Sequence, residues 1–124
     1  MPTNSPTSVE LMAAVQEFLR AQLLPRLTGS DKYHLQVSLN ALAILAREFA
    51  MAGALDDAEQ ARLHTLLGAS GTLEEANRAL CARIRERQLT YRNDGLMNHL
   101  WQTAIGKMSI DNPRYATYVD AIEG

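Results

Sequence analysis

Asp31-Lys32-Tyr33-His34-Leu35-Gln36-Val37-Ser38-Leu39-Asn40-Ala41-Leu42-Ala43-Ile44-Leu45-Ala46-Arg47-Glu48-Phe49-Ala50-Met51 is the stretch that decides the fold. Leu35, Leu39, Leu42 and Phe49 recur on one side of a helix with 3.6 residues per turn, and Tyr33, Val37, Ala41 and Ile44 on another. A helix with so little polar surface is central to a bundle. The spacing predicts a helix from Asp31 or Lys32 to about Met51. Gly53 is expected to supply the left-handed turn that ends it.

Helical signals continue on both sides. Thr7-Ser8-Val9-Glu10 reads as a capping box, opening a helix with Leu11, Val15, Phe18, Leu19 and Leu23 on one face. Pro25 is expected to stop that helix, because the residue before a proline is pushed out of the helical region. Downstream, Asp56-Asp57-Ala58-Glu59 caps a short helix with Ala58, Leu63, Leu66 and Leu67 inward, ending at Gly68. Thr72-Leu73-Glu74-Glu75 is a second capping box, followed by Leu73, Ala76, Leu80 and Ile84. Asn93 or Asp94 opens a helix whose expected stripe is Leu96, Leu100, Trp101, Ala104 and Met108, closed by Asn112-Pro113. No segment alternates like a strand, and no repeat or linker divides the chain. The expected fold is all-α: one compact bundle of five to six helices over residues 7–124, behind a flexible leader, 1–6.

Bulk properties narrow the function classes. The chain has 124 residues, enough for one domain with a core that needs no disulfide or metal. Its net charge is −2 with both signs mixed, so no basic block is expected to neutralise a row of phosphates, and nucleic acid is not an expected partner. Cys81 is the single cysteine, which points to a reducing cytoplasm. The opening residues show no signal-peptide pattern. Leu35–Ala46 is interrupted by Ser38 and Asn40 and followed by Arg47, short of the roughly 18 apolar residues of a membrane span. A cytoplasmic protein without membrane contact is expected.

Catalytic signatures are absent: no phosphate-cradling glycine loop, no zinc helix, no nucleophile elbow. His34, His64 and His99 are placed on three different helices, none carrying two metal ligands a turn apart, so neither metal nor cofactor is expected. Cys81, at the edge of an apolar stripe, reads as a small apolar residue. An enzymatic reading would have to use Glu48, His34 or Cys81 as its acid–base group.

One polar group stands out. Asn40 falls between Val37 and Ile44 on a stripe expected to be buried, and Arg47 continues it. Buried amides and guanidinium groups need partners. Glu48, Arg85, Lys107, Asp111, Asn112 and Arg114, together with Asn77, are the candidates for that neighbourhood. Three readings stay open: a structural network of Asn40, Arg47, Glu48, Lys107 and Asp111; a cationic pocket of Arg47, Arg85, Lys107 and Arg114 holding a carboxylate or phosphate; or an interface. In the tail, Tyr115, Tyr118, Val119 and Ile122 recur at helical spacing and cover either the chain's own core or a partner.

Tyr33-His34-x-x-Val37-x-x-Asn40-Ala41-Leu42-Ala43-Ile44-x-x-Arg47-Glu48, then Leu80-Cys81-x-x-Ile84-Arg85 and Lys107-x-x-x-Asp111-Asn112-Pro113-Arg114-Tyr115, resemble an uncharacterised bacterial family of small helical proteins. Leu11 to Pro25 is similar as well. Members of that family are often encoded beside aminoglycoside-phosphotransferase-like kinases and acyl-CoA dehydrogenases. The resemblance implies an accessory role near acyl-CoA or small-molecule phosphorylation chemistry. With the small all-helical scaffold, the missing catalytic motifs and the tail stripe, the expected role is a non-enzymatic accessory or interaction module working with a kinase-like or acyl-CoA dehydrogenase partner or with its own copies. The alternative is a binding domain for an anionic ligand such as an acyl-CoA or a phosphorylated metabolite, held by Arg47, Arg85, Lys107 and Arg114. No catalytic residue carries over.

Overall fold

The computed structural model describes residues 6–124, so the expected leader, 1–6, lies outside the described residues except for Pro6. The protein is all-α. Five α-helices are present among the described residues: α1 Ser8–Phe18, α2 Gly29–Leu67, α3 Leu73–Arg85, α4 Asp94–Asp111 and α5 Ala116–Glu123. They belong to two compact units, Met1–Met51 and Ala52–Gly124.

In the first unit, α1 opens with the expected capping box: the Glu10 amide donates to Thr7 Oγ1 at 3.2 Å, and the Thr7 amide to Glu10 Oε1 at 3.4 Å. Pro25 does more than stop the helix. The chain passes through a π turn, Leu19–Leu23, and a 3₁₀ turn, Leu24–Arg26, before leaving the helical region at Leu27. Proline has no amide hydrogen, and its ring clashes with the carbonyl four residues earlier, so the ladder ahead of it widens to five-residue spacing.

Helix α2 corrects the expected boundaries. It runs unbroken for 39 residues, joining two helices that the sequence separates at Gly53. His34 and His64 therefore share a helix rather than occupying two. The left-handed turn that ends it belongs to Gly68, at φ +65°, whose amide donates to His64 O at 2.9 Å; Gly53 is not among the residues with positive φ. An interior glycine weakens a helix by up to about 1 kcal/mol, which alanines and leucines on both sides outweigh. A Cβ at Gly53 would meet nothing within 4 Å. Gly53→Ala is therefore expected to raise stability by about 0.5–1 kcal/mol in chemical denaturation. A left-handed cap at this position would give a loss instead.

By length and composition α2 is also long and apolar enough to cross a membrane, with a mean hydropathy of 1.3 over its most apolar window. Arg47 and Glu48 sit near its middle, where a charged side chain costs about 2.5–3.5 kcal/mol in a bilayer.

Burial in the first unit departs from the expected stripe. Leu39 is buried, but Val37 is 50% exposed, Asn40 is exposed, and Phe49 is 66% exposed. A helix apolar all round cannot bury every side at once, so Val37 and Asn40 are left outside while Ile44 and Arg47 on the same stripe are half-buried.

The second unit has a leucine core. Leu63 and Leu67 of α2, Ala76 and Leu80 of α3, Leu96 of α4 and Leu89 of the α3–α4 loop form one buried cluster, with Leu66 and Leu73 against it. Side chains fasten the α2–α3 hairpin. Gln60 Nε2 and His64 Nε2 both donate to Gly71 O, at 2.7 and 2.8 Å. Arg83 Nη2 donates to Leu67 O at 2.8 Å, placing a cation on the last carbonyls of α2. The second capping box is present as well, with the Glu75 amide 3.1 Å from Thr72 Oγ1. The Thr72 amide donates back to Glu75 Oε1 at 3.1 Å, and this bond, with one from the Thr72 hydroxyl, holds the Glu75 carboxyl below its ordinary pKa.

Candidate functional site

The second unit holds a cleft of about 520 Å³ between the C-terminal part of α2 and the start of α4. Arg62, Thr65 and Leu66 line one wall, and Gly95, Asn98 and His99 the other. Helical spacing supplies both sets: Arg62, Thr65 and Leu66 lie three and four residues apart, as do Gly95, Asn98 and His99. Asn93 fixes where α4 begins, its Oδ1 accepting the Leu96 amide at 2.8 Å. Gly95 lets the walls approach, since a Cβ there would stand 3.2 Å from Leu66 Cδ1.

His99 is buried, at 3% exposure. Arg62 Nε donates to its Nδ1 at 3.3 Å, and Arg62 Nη2 to Thr103 Oγ1 at 3.2 Å. Because Nδ1 accepts, the ring is neutral and carries its hydrogen on Nε2, an assignment made from the hydrogen bond. Burial pushes the His99 pKa below the usual histidine value, the Arg62 charge pushes it the same way, and Glu59 opposes them. Glu59 is itself engaged, its Oε2 accepting from Asn77 Nδ2 at 3.0 Å. The result is two polar groups anchored on neighbouring turns of α2, Asn77–Glu59 toward α3 and Arg62–His99–Thr103 toward α4. Such a constellation can orient a guanidinium toward a ligand and keep an imidazole neutral at pH 7.

The α4 spacing predicts an inward face of Leu96, Leu100, Trp101, Ala104 and Met108; the face that is buried carries Leu96, His99 and Gly106, with Thr103 half-buried between them. Leu100, Trp101 and Ala104 are exposed. Leu96, His99, Thr103 and Gly106 recur at 3, 4 and 3 residues, so the period was present in the sequence. A scan for apolar residues passes over it, because two members are polar and one is glycine. Gly106 fits its place through close approach: a Cβ there would lie 3.3 Å from Leu55 Cδ2.

The predicted polar group is distributed over the chain. Asn40, Arg47 and Glu48 lie in the first unit, and Arg85, Lys107, Asp111, Asn112 and Arg114 in the second. Arg47 is half-buried and is not left without a partner; the other seven are exposed. In the Asp111–Tyr115 segment, the Asn112 amide donates to Met108 O at 2.9 Å and the Tyr115 amide to Asn112 O at 3.1 Å, so this stretch turns the chain from α4 into α5. Asn77, an expected partner for that group, pairs with Glu59 instead. Of the tail stripe, Tyr118 and Val119 are half-buried, while Tyr115 and Ile122 are exposed. Among the described residues no group of three or more His, Cys, Asp or Glu side chains could hold a metal ion.

No curated protein and no solved structure matches the chain. Residues 25–115, which contain α2, α3 and α4, do match a family model, that of the domain of unknown function DUF6285, and the chain belongs to this family.

Proposed function

We propose that the protein is a non-enzymatic accessory module that works by docking to other polypeptides, copies of itself included. The observation carrying this reading is the apolar surface of the helices. On α4, Met97, Leu100 and Trp101 share a face and are all exposed, Trp101 at 53%. On α1, Leu11, Val15 and Phe18 share a face and are exposed, Phe18 at 61%. Single exposed apolar residues need no explanation, whereas stripes of them mark interaction surfaces. Aromatic and methionine side chains are the types enriched at such surfaces. The tail stripe Tyr115, Tyr118, Val119 and Ile122 is proposed as a further docking surface.

The partner class, a kinase-like or acyl-CoA dehydrogenase protein, rests on the family resemblance in the sequence. A cytoplasmic location, without membrane or nucleic acid, rests on the single cysteine, the charge pair within α2 and the mixed net charge.

Light scattering behind size exclusion tests the reading on the full chain. The expected mass is a multiple of 13.7 kDa, or that of a complex with a co-expressed partner of the stated class. Trp101→Glu is expected to return the single-chain mass with the helical content unchanged. A single-chain mass at every concentration, with no co-elution, overturns the proposal. A chain ending at Pro113 separates the roles of the tail: it stays folded and loses the assembly if the tail is interface, and it unfolds if the tail covers the core.

A further inference from the structure

The geometry points to the α2–α4 cleft as a binding site for a small organic carboxylate, with the guanidinium of Arg62 as its anchor. Arg62 is half-buried, and its two hydrogen-bond partners among the described residues, His99 Nδ1 and Thr103 Oγ1, are both neutral. The carboxylate one turn earlier, Glu59, accepts from Asn77. A guanidinium has five N–H donors in a fixed plane. With Nε committed to His99 and one Nη2 hydrogen to Thr103, the end-on pair of Nη1 and Nη2 hydrogens remains, and that edge matches the two oxygens of a carboxylate.

The rest of the cleft fits the same ligand class. Leu66 and Gly95 offer an apolar surface for a compact body, and the exposed Thr65 and Asn98 add neutral polar groups. A volume of about 520 Å³ lies within the range of small-molecule sites. His99 has a positioning role: as a neutral acceptor it holds the Arg62 Nε without competing for the ligand's charge. One cation in the cleft suits a monoanion, whereas a phosphate dianion would call for further donors.

Three probes sharing one ring isolate the charge: benzoate, benzyl alcohol and benzylamine, each titrated into ¹⁵N-labelled protein while the Arg62 Nε–H and His99 imidazole signals are followed. Benzoate is expected to move both signals saturably, and the other two at least about tenfold more weakly. A charge-assisted hydrogen bond of about 1.5–3 kcal/mol converts to roughly a ten- to hundredfold loss of benzoate affinity for Arg62→Gln. Thr65 is exposed on the cleft wall, so substitutions there leave the Arg62–His99 bond in place and keep the test informative should Arg62→Gln fail to fold. Thr65→Glu is expected to weaken benzoate and Thr65→Lys to tighten it. Equal responses to benzoate and benzyl alcohol, no saturation, or the absence of that ordering at position 65 overturns the proposal.

Discussion

Replacing Leu63 by alanine is expected to destabilise the second unit by about 3 kcal/mol, within the roughly 2–5 kcal/mol range of buried leucine truncations. Leu63 is wholly buried and stands in a cluster with Leu67, Ala76, Leu80, Leu89 and Leu96. Truncation removes transfer free energy and leaves a cavity among groups held by three helices and a loop, which limits collapse around it. For a unit of this size each kcal/mol moves Tm by about 4–8 °C, so the midpoint should fall by roughly 10–25 °C in a circular-dichroism melt. Leu45→Ala is the control. Leu45 is exposed, and its truncation should stay within about 0.5 kcal/mol. Similar losses at both positions would mean that the core is not centred on Leu63.

The second large effect concerns Arg62 and pH. Arg62→Gln is expected to cost about 1–3 kcal/mol, because it removes the guanidinium that supplies buried His99 and half-buried Thr103 with a donor. The histidine also gives stability an acid limb. Its folded-state pKa lies below the unfolded value near 6.5, so between the two values the unfolded chain binds more protons. Stability is therefore fully present above about pH 6.5 and declines as pH falls below it, until the folded pKa is passed. The Arg62 charge contributes to that depression and Glu59 opposes it. Arg62→Gln should consequently move the His99 titration upward and shorten the acid limb, while Glu59→Gln should move it downward and lengthen it. Proton NMR titration of His99 alongside denaturant unfolding at several pH values measures both. A His99 that titrates at or above 6.5 in the wild-type chain would contradict the burial and charge arrangement described here.

The distance between sequence and structure was greatest at two glycines and one helix face. Gly53 and Gly68 carry the same local signal, and both look like helix ends. Only the backbone distinguishes them: Gly68 takes a positive φ and Gly53 does not. Propensity cannot decide between a helix that stops and one that absorbs a cost of about 1 kcal/mol, because the outcome turns on what the following turns gain by packing. The α4 face shows the same limit. Its buried members, Leu96, His99 and Gly106, are an apolar, a titratable and a side-chain-free residue, chosen by what the leucine cluster, Arg62 and Leu55 respectively present to them. His99 shows in the sequence only as a histidine, because its pairing with Arg62 spans 37 residues and leaves no local trace.

The amino-acid sequence by itself determined the helical class, both capping boxes, the Gly68 stop, the Asn93 start of α4 and most of the leucine core. Each of these depends on neighbours within one or two turns, where side-chain type and spacing are sufficient information. The tertiary structure alone decided that α2 is continuous, that Asn40 faces outward, and that Arg62, His99 and Thr103 meet. Those outcomes follow from competition among distant surfaces for a limited interior, and a sum over all the packed elements resolves it rather than any single segment.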